Sequence, residues 1–188
     1  MRTRDRLVES TQELLWERGY VGTSPKAIQQ RAEAGQGSMY HHFAGKSDLA
    51  RAAIARSAQE LRAASEAQLS GPGTAIERLT AYLHRERDVL RGCRIGRLAA
   101  DSEVVASPAL RAPLGETFAW LQGRLAEVVA EGQAAGELDR AQDPGDLAAA
   151  LVAVLQGGYV LARSAADPAP FDRAVRGALA LLATTEGA

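Results

Sequence analysis

The chain is poor in cysteine, aromatics and charge of one sign. Cys93 is the only cysteine in 188 residues, which excludes an intramolecular disulfide framework and a cysteine-rich zinc site. Aromatic residues make up 5% of the chain, so its core must be built mainly from aliphatic side chains. Lys and Arg number 22 against 23 Asp and Glu, and the net charge of −1 points to neither nucleic acid nor membrane as a whole-chain partner. The longest uncharged run, residues 147–162, would cover about 24 Å as a helix, short of a hydrocarbon core of about 30 Å. The start, Met1-Arg2-Thr3-Arg4-Asp5, has no apolar h-region of the secretory kind. A cytoplasmic protein is therefore expected. Hydrophobic residues at 46% and charged residues at 24% suit a globular domain with a real core.

Periodicity is helical throughout, and no useful window alternates as a strand does. Leu7, Val8, Thr11, Leu14 and Leu15 share one face of a first helix, which Gly19 is placed to stop. Ser24-Pro25 announces a second, with serine as cap and proline where a missing N–H costs nothing. After a break at Glu33–Gly35, Met39 and Phe43 lie four apart and face inward together. A fourth helix runs from Lys46 to about Leu69, interrupted by Ser70-Gly71-Pro72-Gly73. Five more are expected at about 74–91, 95–105, 108–135, 144–165 and 169–184. The fold class is thus all-α with about nine helices: a helix-turn-helix domain over 1–46 and a helical ligand-binding and dimerisation domain over 47–188.

The last two helices carry apolar stripes, Leu147, Leu151, Val154 and Gly158 on one and Phe171, Val175, Leu179 and Leu182 on the other. Gly157-Gly158 costs about 1 kcal/mol per glycine relative to alanine, so close packing must compensate. A four-helix interface between two copies is the natural use, and an ordinary buried hairpin is the alternative.

The outer face of the third helix is where chemistry gathers. Gln36, Ser38, Tyr40, His41 and His42 are hydrogen-bonding groups, and Gly37 allows close backbone approach. Glutamine can pair bidentately with adenine, serine can donate or accept, and tyrosine can reach a phosphate. Lys26 and Lys46 flank this face with positive charge. Local charge adds little, since residues 1–50 hold seven basic and six acidic groups.

The run from Ile28 through Gln36-Gly37-Ser38-Met39-Tyr40-His41-His42-Phe43, followed by Lys46 and Leu49, resembles the TetR family signature, without gaps over the first fifty residues. The resemblance implies an all-α homodimeric repressor whose third helix enters the major groove of double-stranded operator DNA. On the matching positions Gln36, Gly37 and Ser38 would face bases, Lys26, Tyr40, His42 and Lys46 would hold phosphates, and His41 would sit at the groove edge. Two positions depart from the pattern: Glu33 stands where glycine is usual, and Gln36 where lysine is frequent. If Glu33 is left-handed, it carries about 1 kcal/mol of strain. The C-terminal part is similar to the LmrA/YxaF-type branch through Gly92-Cys93-Arg94-Ile95-Gly96-Arg97, Gly132 to Leu138, and Leu155-Gln156-Gly157-Gly158-Tyr159. That similarity implies a domain for a small-molecule effector and a dimer interface in the last two helices.

Other readings stand beside these. Adjacent His41 and His42 diverge by about 100° on a helix and cannot grip one ion, so no metal or other cofactor is expected. Cys93, near Arg91, Arg94 and Arg97, is either a small buried hydrophobe or a redox-sensing thiol. Tyr82, Cys93, Phe118, Leu121, Gln122, Leu155, Tyr159 and Arg163 are candidates to line a cavity for a small hydrophobic effector, or are plain core. No nucleophile–base spacing, cofactor glycine motif or metal set is present, so an enzyme is not expected. A helical small-molecule-binding protein without DNA recognition is the remaining alternative.

Overall fold

Local chemistry places most of the helix ends. The computed structural model describes residues 2–183, and within them every regular element is helical. α1 spans Thr3–Arg18, α2 Pro25–Arg31, α3 Gln36–His42, α4 Lys46–Leu69 and α5 Ala75–His84. A 3-10 turn at Gly96–Ala100 leads into α6, Ser102–Ala106, followed by α7, Pro108–Ala135, α8, Pro144–Ala165, and α9, Ala169–Ala183. The expected end of the last helix at 184 lies outside the described residues.

Side chains cap several helix starts, and the Ser24-Pro25 start of α2 is the one read from the sequence. Ser24 Oγ accepts from the Ala27 amide at 3.2 Å and Pro25 opens α2. Thr74 and Glu77 form a reciprocal capping box on α5. Asp143 accepts from the Asp146 amide at 3.0 Å and Pro144 opens α8. Two expectations fail, both where no glycine or proline marks the break. The helix expected over 74–91 ends at His84, because the Arg87 side chain folds back and donates to the Tyr82 and Leu83 carbonyls. The helix expected over 95–105 is a 3-10 turn and a short α-helix, parted where Asp101 caps the Glu103 and Val104 amides.

The described chain forms two compact units. One comprises residues up to 60 together with 94–116, the other 61–93 together with 117 onward. Chain packing therefore divides the described chain within α4 and α7. In the first unit α1, α2 and α3 pack on one another, and Leu7, Leu14, Ile28, Met39, Leu49 and Ile54 fill the core. The 94–104 segment is tied to α1: Arg94 pairs with Glu13 at 2.6 Å and stacks over Trp16, and Arg97 donates to the Trp16 carbonyl. Asp101 accepts from the Tyr20 and Val21 amides at 2.7 and 3.0 Å.

In the second unit the α8–α9 hairpin is the most extensive helix pair. Gly158 lets α9 approach closely, since a Cβ there would lie 2.9 Å from the Phe171 ring. The Gly132 to Leu138 segment closes α7 in the same manner, because a Cβ at Gly132 would meet both Ala75 and Leu138 within 3 Å. By length and composition α8 could cross a membrane, a test that core helices of soluble proteins also pass; a third of its most apolar window is buried within the chain. The observed helix, about 33 Å long, exceeds the uncharged run because its ends carry Asp146 and Arg163.

Candidate nucleic-acid interface

The turn between α2 and α3 is closed by backbone bonds alone. Glu33 N–H donates to the Gln30 carbonyl at 3.3 Å and Ala34 N–H to the Gln29 carbonyl at 3.0 Å, the paired pattern of a Schellman ending. That pattern needs a left-handed residue, and Glu33 supplies it at φ 50°. The strain expected of a glutamate there is therefore present, on the order of 1 kcal/mol.

α3 is anchored by one buried side chain. Met39 is fully enclosed, with the Gln29 amide 3.7 Å from its sulfur, and Phe43 is buried just beyond the helix end beneath Arg4. Everything else on α3 faces outward. Gln36, Gly37, Tyr40, His41 and His42 are exposed and Ser38 is half-buried. Tyr40 keeps 50% of its surface accessible, a high value for a large aromatic with no role in the core. A Cβ at Gly37 would meet nothing within 4 Å, so packing within the chain does not require glycine. The His41 and His42 rings meet edge to face at 5.0 Å. Among the described residues no group of three His, Cys, Asp or Glu could hold a metal.

The flanking lysines differ. Lys26 is exposed, and with Gln29, Gln30, Glu33 and Gln36 it borders a shallow groove of about 410 Å³ beside the turn. Lys46 is half-buried, its ammonium 3.9 Å from the centre of the Tyr20 ring. At the start of α4 the Arg51 guanidinium, followed by the Ala44 amide, holds the Asp48 carboxyl below its usual range. Thus one helix face presents amide, hydroxyl, phenol and imidazole groups on a short rod.

The candidate effector residues all fall in the second unit. Tyr82, Cys93, Leu121, Leu155 and Tyr159 are buried, Phe118 and Gln122 are half-buried, and Arg163 is exposed in the last turn of α8. The structure brings Tyr82, Cys93 and Tyr159 together and adds Arg85 and Arg87, which sequence reasoning missed. Both guanidiniums lie over the Tyr82 ring, at 5.7 and 5.4 Å. Burial raises the Tyr82 hydroxyl and pushes Tyr159 up to about 12, against the pull of the two arginines. Burial lowers Arg87. The early break in α5 puts these arginines here, and no residue in the sequence signals it.

The hairpin stripes are largely covered within the chain. Leu151, Gly158, Phe171, Val175 and Leu182 are buried within the chain, and Leu147, Val154 and Leu179 are half-buried. The most apolar stripe of each helix faces its own subunit, as a helix with one core to cover requires. The small and apolar residues left outside are Ala150, Ala153, Gly157, Val160 and Leu161 on α8, with Gly177, Ala180 and Leu181 on α9, beside exposed Arg163, Arg173 and Arg176. Val160 is 68% exposed and Leu181 74%.

A three-helix head whose third helix offers a polar face over one buried methionine defines a helix-turn-helix DNA-binding protein. Residues 7–53 match the family described as bacterial regulatory proteins, tetR family, and residues 73–178 match the tetracyclin repressor-like C-terminal domain. The chain belongs to the TetR family of transcriptional regulators. It is 29% identical over 171 residues to the transcriptional regulator AcuR of Cereibacter sphaeroides, covering 87% of this chain and 78% of that protein. It is 27% identical over 173 residues to the transcriptional repressor DhaR of Mycobacterium sp. strain GP1, covering 90% and 87%. Among solved structures, a regulatory protein TetR from Rhodobacter sphaeroides superposes with a TM-score of 0.83 at 29% identity over 93% of this chain and 96% of that one. The reduced form of NemR from E. coli gives 0.87 at 23% identity over 98% and 99%, a likeness of fold. TetR-family regulators bind DNA and usually act as dimers with small-molecule effectors. The C-terminal match carries no assignment to the LmrA/YxaF-type branch.

Proposed function

We propose that this regulator is a cytoplasmic, homodimeric repressor that binds a near-palindromic operator and releases it when a small molecule occupies the second unit. The exposed face of α3 carries the reading. Gln36 and Ser38 are suited to base edges, and Gly37 to close backbone approach. Lys26, Tyr40, His42 and Lys46 are suited to phosphates, with His41 at the groove edge. Residues 1–46 would serve DNA and 47–188 the effector and the partner subunit. The small and apolar outer face of α8 and α9 is suited to a second copy. Of the candidate effector residues, the buried set Tyr82, Cys93, Leu121, Leu155 and Tyr159 fits better than exposed Arg163. Effector binding represses DNA affinity only by favouring a subunit arrangement whose two α3 helices no longer match successive grooves.

Fluorescence anisotropy on DNA from upstream of the protein's own gene tests this. Specific binding should weaken steeply with salt, as displacement of counterions from phosphates requires. Tyr40→Ala should reduce affinity roughly tenfold with unchanged stability, the loss of about one phosphate contact. Gly37→Ala should leave the fold intact, because its Cβ meets open space, yet weaken binding where the backbone nears the duplex. An intact dimer with no specific binding at low salt would sink the proposal.

A further inference from the structure

In the second unit two arginines border one cavity. Arg85 and Arg87 follow the end of α5 and border a cavity of about 210 Å³, whose apolar wall is Leu83, Val89, Phe171 and Val175. Arg87 lies over both Tyr82 and Phe171, and Phe171 in turn touches the Tyr159 ring at 4.8 Å between centroids. Among the described residues neither guanidinium makes an ion pair with a carboxylate. Glu86 and Asp172 sit on the cavity's border and are exposed, and so is His84.

The Arg87 donors have a structural use, since they satisfy the carbonyls of Tyr82, Leu83 and Arg85. The partial negative charge at a helix C-terminus, about half an elementary charge, compensates this one cation in part. It does not cover the second. Arg85 Nε is buried and donates to no protein acceptor, a costly state for a charged group. Arg87 is engaged by those carbonyls and by the Tyr82 hydroxyl, so Arg85 is the guanidinium left with a buried donor unused. The planar guanidinium of Arg85 matches the fork geometry of a carboxylate.

We infer that this cavity binds a small carboxylic acid, its carboxylate held by Arg85 and its short apolar tail against Phe171 and Val175. The cavity is below the ~300–1,000 Å³ of pockets for drug-sized ligands, which sets the size class. This inference rests on the proposed effector response and names the class of effector.

Isothermal titration of the full-length protein with acetate, propionate, butyrate, hexanoate and benzoate tests it, with the matching amides and inorganic phosphate as comparisons. At least one acid should bind, and its amide at least tenfold more weakly, as expected when charge-assisted hydrogen bonds are lost. Arg85→Gln should weaken that acid about tenfold or more with an unchanged melting temperature, because Arg85 carries no hydrogen bond that holds the fold. Arg87→Gln is the poorer probe, since it also removes the helix ending. No binding by any acid, equal binding of acid and amide, phosphate binding as tight as the acid, or an unaffected Arg85→Gln would each overturn the assignment. Release of operator DNA separates the two proposals. An acid that binds through Arg85 without releasing DNA supports the site and overturns its regulatory role. Release by a neutral compound, with no acid bound, supports effector control and overturns the carboxylate.

Discussion

Glu33 shows how one residue can set both a fold junction and the charge of an interface. Its φ of 50° closes α2, and glutamate accepts that conformation less readily than glycine does. It also borders the groove that Lys26 and Gln36 share, so its carboxylate would face the phosphates of bound DNA. Glu33→Gly should therefore raise stability by about 1 kcal/mol, seen as a higher urea midpoint. It should also tighten DNA binding, more at low salt than at high, because the repulsion removed is electrostatic. A stability gain without the salt-dependent gain would place Glu33 away from the duplex. The question of a left-handed residue at Glu33 is raised by the family resemblance, which has glycine there, and the structure answers it. The half-buried arginines Arg85 and Arg87 are not legible in the sequence, because their surroundings arise from a helix break that no local residue type encodes.

Among elements, α4, α7 and α8 fall where the sequence places them. The misread stretches share one cause: distant or side-chain partners end the helix. At Asp101 a single carboxylate caps α6 and also receives the Tyr20 and Val21 amides, so the turn after α1 depends on a residue some eighty positions along the chain. Asp101→Ala should speed hydrogen exchange at Tyr20 and Val21 by tenfold or more, corresponding to a cap and a charge-assisted bond of about 1–3 kcal/mol. Asp101→Asn keeps one acceptor oxygen and should retain part of the protection. Unchanged exchange in Asp101→Ala would mean that water replaces the carboxylate without cost.

Taken whole, the molecule places its apolar surface in two ways that periodicity alone does not separate. A helical stripe shows which residues are apolar, and only packing shows whether they face their own core or a second copy. Phe171 and Val175 face inward; Val160 and Leu161 do not. The assembly proposal therefore makes contrasting predictions for two faces of one hairpin. Leu161→Glu should convert the dimer to a folded monomer, with association weakened a hundredfold or more by an unpaired charge in the interface, read by light scattering. Leu151→Glu should instead unfold the second unit, which circular dichroism would register. A Leu161→Glu protein that remains dimeric would move the interface elsewhere.

The open space around Gly37 has a consequence for genetics. A library scored for cellular abundance would tolerate small side chains at that position, since nothing in the subunit objects to them. The same library scored for promoter silencing would not. Positions that pass the first screen and fail the second would trace the footprint of the operator on the protein before any complex is crystallised.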